Sequence, residues 1–584
     1  MISLLSILIC LSACGGAKEN PAPGPTQPAV RLHTVMEMNQ EPLELNSHQG
    51  DELGAVLQPM YAYYSITPHE VLTKGAPEDQ AMAIYPRVKR MADGRYILFY
   101  HGGQFGSRIW CVVSDDFKTW STPQLLYQPY KVDGDYRRFV NPDAVVLPGG
   151  DLLMVCSYRA TNGYNSGNDC GLSFRRSSDS GKTWSEPWNV DIGPNWEPYL
   201  LVLPDGRIQC YYTDATPWTR NSGTSVIVSE DGGASWSTKK RVCRYYKYDY
   251  YTTDTEKKAY NGEKIYTDQM PCFRVLNDGK TLVGWLEDRL EEPAPADCSL
   301  DKYDSFYEMS LVYHDGLDWE DLGEETAGPE KRLNRVVKGA AGYISTFRSG
   351  ESVLSCGKDG LMHLKMGNSS LTSFYGGSNW EKESTWLIPF DNEGFWGTTE
   401  VVAPTILAAA IHCDEGMQTG LLYLNHRLDA SRQKVTVDGD LSEWESDRCF
   451  FLGSENGNEL LLRAATNEGT LYIAADCLVG DSAKDPSVTI LISKEGGNAK
   501  TKLVFDRNGL DKSSAVGTSC VIRDGVSESG AKGYVSEISV PLSLLGAGEG
   551  DTLCMYVLLK SGSTRTVFSF SNGSDITTWQ KIKL

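Results

Sequence analysis

A hairpin motif recurs along this 584-residue chain and limits the folds that the chain can adopt. In its best copy, Trp196-Glu197-Pro198 opens an apolar strand, a Pro-Asp-Gly turn follows, and the returning strand ends at Asp214. Five similar hairpins begin at or near the following residues: Tyr85, Asn141, Gln269, Tyr343 and Val402. The first three copies are 56 residues apart, and a repeat of that length built of short strands is typical of a β-propeller. We therefore predict an all-β chain whose main part is a six-bladed β-propeller.

A second repeated motif, S-x-D-x-G-x-[T/S]-W, follows two of these hairpins. Its copies begin at Ser177 and Ser229, a copy one residue shorter begins at Ser114, and a decayed one begins at His314. The Ser and Asp side chains can hydrogen-bond the backbone of a tight turn while the Trp fills the space between sheets. We predict a structural role for these boxes and no part in catalysis.

The two ends of the chain differ in composition from the repeated part. Residues 1–14 contain a short apolar segment and a bacterial lipobox, which predict a lipoprotein signal with Cys14 as the lipidated residue. Residues 15–52 are predicted to be a flexible, Pro-rich tether and lead-in, 53–428 the propeller, and 429–584 a β-sandwich that follows it. We expect an exported protein, lipid-anchored in the periplasm or on the outer-membrane surface, with an ordinary cleaved signal as the alternative.

Composition argues against several classes of partner. A net charge of −21 argues against nucleic acid and anionic lipid, so a lipid anchor is the expected membrane contact. There is no glycine-rich phosphate loop after a strand and no H-x-x-x-H cluster. We predict a monomer with no cofactor and no metal among its site residues. A structural Ca²⁺ stays open. Many of the fifteen cysteines lie in apolar strand patterns as buried thiols, and Cys156 with Cys170 is the disulfide considered.

The inner strands of a propeller converge on a central axis, so side chains at the ends of the hairpin strands would share one funnel. The candidate substrate-binding residues of this funnel are Arg87, His101, Asn141, Arg159, Tyr212, Asp214, Trp218, Gln269 and Arg289. Two carboxylates that flank a glycosidic bond are the minimum apparatus for its hydrolysis, and Glu197 and Glu287 could face each other from neighbouring blades. The alternatives are a blade-to-blade hydrogen bond for Glu197 and a local ion pair for Glu287.

The boxes and hairpins resemble the sialidase-like superfamily, and residues 195–200 are similar to the W-E-P-[FY]-L run of the exo-1,5-α-L-arabinanases, glycoside hydrolase family 93. That family has a second glutamate at the end of the hairpin opened by a Met-Pro pair, which corresponds here to Met270-Pro271 and Glu287. The resemblance implies an exo-acting, retaining glycoside hydrolase on arabinan-like or related glycans. It implies Glu197 as nucleophile and Glu287 as acid/base, with the reverse order nearly as acceptable.

The tail resembles the carbohydrate-binding module family 9-like β-sandwich. The resemblance is carried by the DG-x-L-S-E-W run at 438–444 and by an E-x-x-V-P strand that begins at Glu537. We expect Trp444 to be a core residue rather than a platform for sugar.

Three other functions stay open at this stage. A non-catalytic glycan-binding lipoprotein would hold sugar in the funnel and pair its axial carboxylates with arginines. An exo-α-sialidase would need three arginines around a carboxylate, but the first hairpin reads Tyr85-Pro86-Arg87, one residue out of step with that pattern. A polysaccharide lyase would set His or Tyr against an Arg-bound uronate, with His101 and Arg87 as its candidates.

Overall fold

The computed structural model describes residues 28–38, 56–103, 106–163, 167–215, 223–243, 268–289, 307–322, 332–368, 386–426, 428–444, 449–480, 484–567 and 571–584. Helices in these ranges are short, at Val35–Met38, His69–Leu72, Glu78–Gln80, Leu441–Glu443, Leu542–Leu545 and Ile576–Thr578. None of them is long and apolar enough to cross a bilayer. The rest of the regular structure is strand, which confirms the all-β fold class.

Six sheets form the blades of a propeller, which we number 1 to 6 in chain order of their inner strands. Blade 1 contains Ala83–Arg90, Tyr96–Gly102, Ile109–Ser114 and Gln124–Tyr127. Blade 2 contains Asp135–Val146, Leu152–Ala160, Cys170–Ser177 and Trp188–Val190, and the short strand Tyr130–Val132 pairs with its inner strand. Blade 3 contains Asn195–Val202, Ile208–Asp214, Gly223–Ser229 and Lys240–Cys243. Blade 4 contains Gln269–Val275, Thr281–Arg289, Tyr307–Asp315 and Arg332–Lys338. Blade 5 contains Ala340–Thr346, Glu351–Lys358 and Leu361–Asn368. Blade 6 contains Phe395–Ala403, Ile406–Cys413, Gly416–Asn425 and Val56–Pro68.

The ring closes through blade 6. Its outer strand, Val56–Pro68, precedes blade 1 in the chain and pairs antiparallel with Gly416–Asn425. The inner strands of blades 6 and 1 contact each other as the other neighbours do. The last hairpin begins at Phe395 and not at Val402, so that sequence prediction is wrong; Pro404 lies in the turn of this hairpin. The copy was misplaced because a glycine, Gly397, stands where the stronger copies have proline.

All six inner strands carry a β-bulge near their start. The pairing register shifts there in each blade, and one non-glycine residue adopts a positive φ: Tyr85, Asn141, Glu197, Met270, Ala341 and Trp396. The next residue is proline in blades 1 to 4 and glycine in blades 5 and 6. Proline lacks an N–H, and a bulge is a place where a ladder hydrogen bond is missing. The repeated x-Pro pairs of the sequence therefore mark these bulges.

The boxes close tight turns, as the sequence predicts. Ser229 Oγ donates to Asp231 at 2.8 Å and accepts from the N–H of Gly233 at 2.7 Å. Asp231 also accepts from the N–H of Ser235 at 2.8 Å. The box at Ser177 repeats these contacts, and its tryptophan packs on the core between blades.

Replacing Ser229 by Ala is expected to destabilise blade 3 without changing any activity of the funnel. The buried hydroxyl is both donor and acceptor, so its loss leaves a buried N–H unsatisfied and costs about 1–3 kcal/mol. Calorimetry would show this as a lower melting temperature. An unchanged melting temperature would contradict the structural role of the box.

The tail forms two sheets packed face to face. One contains Val30–Arg31, Ser519–Val526, Lys532–Pro541, Thr470–Leu478, Glu459–Asn467, Ser431–Arg432 and Phe450–Gly453; the other contains Leu428–Asp429, Gln580–Lys583, Thr552–Ser561, Ser487–Lys494, Thr501–Asp506, Gly509–Leu510 and Thr564–Val567. One apolar cluster includes Leu462 and Ile473 from the first sheet and Ile490 and Val557 from the second. The tail is therefore a β-sandwich.

The two sequence signatures of the tail contact each other. Trp444 is only 8% exposed, and its indole N–H donates to Glu537 Oε1 at 2.7 Å. The backbone N–H groups of Asp438 and Gly439 donate to the other oxygen of Glu537 at 2.9 and 2.7 Å. Trp444 is thus a core residue, which confirms that prediction.

Residues 28–38 pack on the sandwich, although the sequence assigns them to the tether. Val30–Arg31 pairs in parallel with Ser519–Val526, and the side chains of Leu32 and Val35 are fully buried. The N–H of His33 donates to Asp476 at 2.8 Å. Leu32 packs among sandwich residues, whereas Val35 lies in a cluster that combines residues of blades 6 and 1 with residues of the sandwich.

The described cysteines are free thiols, so the Cys156–Cys170 disulfide is wrong. In blade 2, Cys156 pairs with Ser173 and Cys170 pairs with Arg159. The two cysteines therefore lie three positions apart along the ladder, about 10 Å, which a disulfide cannot bridge.

Candidate active site

The second strand of a blade is joined to the bulge of the next blade by a repeated hydrogen bond. The acceptor is the residue that pairs with the position just before the bulge. Its side chain accepts from the backbone N–H of the next bulge residue in three places: His101 Nδ1 from Asn141 at 3.1 Å, Thr213 Oγ1 from Met270 at 2.8 Å, and Glu287 Oε2 from Ala341 at 2.7 Å. These bonds fix the side chains that surround one end of the central channel, which we call the funnel.

Glu197 is the bulge residue of blade 3 and is half-buried. Its Oε2 accepts a hydrogen bond from the hydroxyl of Thr213 at 2.7 Å. Burial and the negative charge of Glu287 raise the pKa of Glu197 to about 7, against the opposing effect of Thr213. The positive charges of Arg159 and Arg87 also act against this rise. Glu197 can therefore hold a proton near neutral pH.

Glu287 lies near the end of the second strand of blade 4, Thr281–Arg289, and is buried. Its Oε1 accepts from the side-chain amide of Gln269 at 2.8 Å, and its Oε2 accepts from the N–H of Ala341. One N–H donor thus points at each oxygen, an arrangement that stabilises a carboxylate. Gln269, which the sequence predicts as a substrate-binding residue, thus supports Glu287, and its contact with substrate stays a prediction.

Thr213 connects the two glutamates. It donates to Glu197 and accepts from the N–H of Met270, whose neighbour Gln269 binds Glu287. Thr213 is not among the site residues predicted from the sequence. The available signal was its place in the hairpin, because Thr213 and Glu287 each pair with the residue just before the bulge of their blade. Two carboxylates held in different surroundings on neighbouring blades are what an acid and a nucleophile require.

Replacing Thr213 by Val is expected to lower kcat by about two- to tenfold, because the hydroxyl that positions Glu197 is lost and a hydrogen bond contributes about 0.5–1.5 kcal/mol. The change keeps the shape of the side chain and removes both of its hydrogen bonds. Thr419→Val is the matched control, since it removes a buried hydroxyl contact to Ser65 in the outer part of blade 6. Equal kcat in both variants would contradict a role for Thr213 in the site.

A cluster of charges lies further along the inner strands. Glu400 Oε2 accepts from Lys89 at 2.8 Å and from Arg274 at 2.9 Å. Although burial acts to raise it, these two cations hold the pKa of Glu400 below its ordinary value. Asp143 accepts from the N–H of Leu200 at 2.7 Å in the same region. These carboxylates join the inner strands and differ in this way from Glu197, whose hydrogen bond comes from a neutral hydroxyl.

Arg87 is buried and bridges blades 1, 5 and 6. Its guanidinium lies 3.6 Å from the ring centroid of Tyr85 and 4.3 Å from that of Tyr343. It donates to the carbonyl oxygens of Pro86 and Trp396. The structure thus gives Arg87 a bridging position between three blades, and its contact with substrate stays a prediction.

His101 and Asn141 lie together at the junction of blades 1 and 2. Because His101 Nδ1 accepts from the N–H of Asn141, the neutral imidazole carries its proton on Nε2. Burial, the charges of Arg159 and Arg87, and the neighbouring imidazole of His412 hold the pKa of His101 well below its ordinary value. His101 is therefore a neutral donor.

Arg159 lies at the funnel close to Glu197. Its guanidinium stacks 3.7 Å from the ring centroid of Trp196, the residue before Glu197. Its charge acts on both Glu197 and His101. Substrate binding by Arg159 stays a prediction.

Two predicted site residues are wrong. Tyr212 is buried in the apolar cluster between blades 2 and 3, against residues such as Leu153 and Phe174. Asp214 is fully buried within blade 3, where it accepts from Ser225 at 2.9 Å and lies 3.2 Å from Lys239. Both faces of a blade pack on neighbouring blades, so a polar residue near a strand end is not necessarily directed at the axis. Trp218, the side chain of Arg289 and Cys14 lie outside the described residues.

Comparisons with known proteins assign no family to this chain. No protein-family profile matches the chain. The curated photosystem II assembly lipoprotein Ycf48 of Picosynechococcus is 24% identical over 156 residues, a match that covers 27% of this chain and 37% of that protein. The chain therefore spans little more than a third of the length of this relative.

Solved structures similar to this chain include glycoside hydrolases. They include a GH93 α-L-arabinofuranosidase of Fusarium graminearum (16% identity, 60% of this chain and 97% of that one, TM-score 0.42) and an α-L-arabinanase of Penicillium chrysogenum (18%, 63% and 98%, TM-score 0.41). A Hadza microbial sialidase is a third (14%, 59% and 66%, TM-score 0.40). At these scores the likeness decides nothing about chemistry, which depends on the residues of the funnel.

Proposed function

We propose that this protein is a glycoside hydrolase whose catalytic residues are Glu197 and Glu287. The observation that carries the proposal is the pair of unlike carboxylates on neighbouring blades. Glu197 has a pKa of about 7, raised by burial and by the charge of Glu287, and Glu287 receives an N–H donor at each oxygen. A protonated acid beside an ionised carboxylate is the apparatus for cleaving a glycosidic bond.

The proposed roles reverse those that the sequence resemblance implies. Glu197 donates its proton to the glycosidic oxygen as the leaving sugar departs, while Glu287 attacks the anomeric carbon and forms a glycosyl ester. Glu197, now a carboxylate, then takes a proton from water, and the hydroxide oxygen attacks the anomeric carbon and releases Glu287. The product keeps the anomeric configuration of the substrate.

Retention is proposed on the resemblance of the two hairpins to those of the exo-arabinanases. Glu287 contributes to the raised pKa of Glu197, so the two carboxyl groups lie within electrostatic range of each other, as both classes of mechanism require. Exo action is proposed on the same resemblance.

The proposed substrate class is an arabinan-like or related glycan, on the similarity of the Trp-Glu-Pro hairpin to that of the exo-arabinanases. We further propose export and lipid anchoring through Cys14, and a carbohydrate-binding module family 9-like fold for the tail. The buried Trp444 would leave any sugar binding by the tail to another surface.

The lyase alternative loses support from the tautomer of His101. A lyase base must take a proton from the sugar, but Nδ1 accepts from Asn141 and Nε2 carries the proton. The non-catalytic alternative would pair its axial carboxylates with cations, as at Glu400. The hydrogen bond of Glu197 comes from a neutral hydroxyl, which favours catalysis instead.

The proposal is tested by incubating the full protein with a panel of plant and host glycans that includes linear arabinan and a sialoside. Released sugars are identified by mass spectrometry, and the anomer formed first is read by proton NMR. Mono- or disaccharides of retained configuration would support the proposal. First products of inverted configuration would overturn the retaining mechanism, and absence of any released sugar would favour the glycan-binding alternative.

A further inference from the structure

We infer that Trp396 is a sugar-stacking platform, and that the ring it contacts belongs to the sugar unit bound against Glu197 and Glu287. The inference rests on the proposed function and adds to it a substrate class, a neutral sugar ring that presents an apolar face. It starts from the position of Trp396 in the repeat, which the hairpin motif of the sequence did not reveal.

Trp396 is the bulge residue of blade 6, as Glu197 is the bulge residue of blade 3. Both have a positive φ, 45° and 51°. In a ring of six blades, blades 3 and 6 lie opposite each other. The tryptophan therefore occupies, on the far side of the funnel, the position that holds the acid on the near side. A non-glycine residue keeps such a backbone conformation where the surroundings impose it, often at a functional site.

The indole is half-buried and packs against the apolar cluster that contains Tyr85 and Tyr343. It stacks on the ring of His412 with centroids 5.3 Å apart and an interplanar angle of 22°. Burial lowers the pKa of His412 to about 4, so this supporting ring is uncharged at neutral pH. Phe395, the preceding residue, is 53% exposed and lies 6.0 Å from the same imidazole. Exposed aromatic surface at the mouth of a binding funnel is an expected mark of a ligand contact.

The backbone that carries the indole is also held in place. Arg87 donates to the carbonyl oxygen of Trp396 at 3.4 Å and is itself enclosed by Tyr85 and Tyr343. The next residue is Gly397, where an added Cβ would come within 3.1 Å of Ile411. A side chain fixed before binding loses little conformational entropy on binding, which favours a rigid platform. This gives the buried Arg87 a function as a positioning residue.

The opposite wall has a similar construction. Trp196 precedes Glu197, is half-buried, and is backed by the guanidinium of Arg159 at 3.7 Å. A flat aromatic face offers dispersion and CH contacts to the apolar face of a sugar ring. Two such walls with the acid between them would orient the sugar so that its glycosidic oxygen meets Glu197.

The test compares Trp396→Ala and Trp396→Phe with Trp386→Phe as the matched control, a tryptophan buried in the core of blade 5. KM and kcat are measured on a glycan that the wild type cleaves. The Kd for the same oligosaccharide is measured by calorimetry in a Glu197→Gln/Glu287→Gln background, and the melting temperature of each variant is recorded. We expect Trp396→Ala to raise KM and Kd by about tenfold or more, and Trp396→Phe to keep both within about threefold. Trp386→Phe should change only the melting temperature.

The outcomes separate this inference from the proposed function. Unchanged KM and Kd in a folded Trp396→Ala variant of an active enzyme would overturn the platform and leave the hydrolase in place. A protein that cleaves nothing, yet binds a glycan more weakly after Trp396→Ala, would overturn the hydrolase and keep the platform. A wild type that binds no glycan of the panel would overturn both.

Discussion

Replacing Glu287 by Gln is expected to lower kcat by about 10⁴-fold or more, because the nucleophile of a covalent mechanism has no substitute in the site. Glutamine keeps the carbonyl oxygen that accepts from Ala341, and its amide group can pair with a rotated amide of Gln269. The bond between blades 4 and 5 therefore survives, and the melting temperature should stay close to that of the wild type. The measurement is kcat at saturating substrate together with calorimetry.

The matched control for this loss is Glu459→Gln. Glu459 is a buried glutamate on the sandwich whose pKa is raised to about 7 by burial. It shares burial and a raised pKa with Glu197 but lies outside the funnel, so its loss should leave kcat unchanged. Full activity of the Glu287→Gln protein would contradict the nucleophile assignment, whatever the control does.

The second large effect concerns Glu197. A general acid must be protonated to act, and the pKa of Glu197 is raised to about 7, so wild-type kcat should be at its plateau below that pH. Above it, kcat should fall about tenfold per pH unit as the carboxyl loses its proton. Glu197→Gln should lower kcat by about 10²–10⁴-fold on natural substrates and abolish this basic limb.

Azide separates the two roles in the variants. With Glu197→Gln and an activated aryl glycoside, azide should attack the glycosyl ester and give a glycosyl azide of retained configuration. With Glu287→Gln, azide should displace the aryl group directly and give the inverted azide. The opposite pattern would show that Glu197 is the nucleophile and Glu287 the acid/base, the order that the sequence resemblance implies.

Much of the fold follows from short-range signals in the chain. Turn residues specify the hairpins locally, and the Ser-x-Asp boxes close their turns through side chains two to four residues away. The signature of the tail at Asp438 is equally local, although its partner Glu537 lies almost a hundred residues away. These features could be predicted because each is written in consecutive residues.

The funnel was harder to predict because its contacts join different blades. Glu197, Glu287 and Gln269 could be selected from the hairpin ends, whereas Thr213 acquires its role from Met270 in the next blade. Tyr212 was misassigned because strand alternation does not say that both faces of a blade are buried. Trp396 was missed because its bulge is followed by glycine rather than proline. The structure recovers it through pairing register, which a single sequence does not contain.

The most direct test of the central claim is release of reducing sugar from the glycan panel by three proteins side by side. These are the wild type, the folded Glu197→Gln/Glu287→Gln double variant and the Glu459→Gln control. Two glutamates acting in the funnel predict that at least one glycan is cleaved by the wild type and the control at equal rates and not by the double variant. Cleavage by the double variant at the wild-type rate would contradict the claim and place the chemistry elsewhere in the molecule.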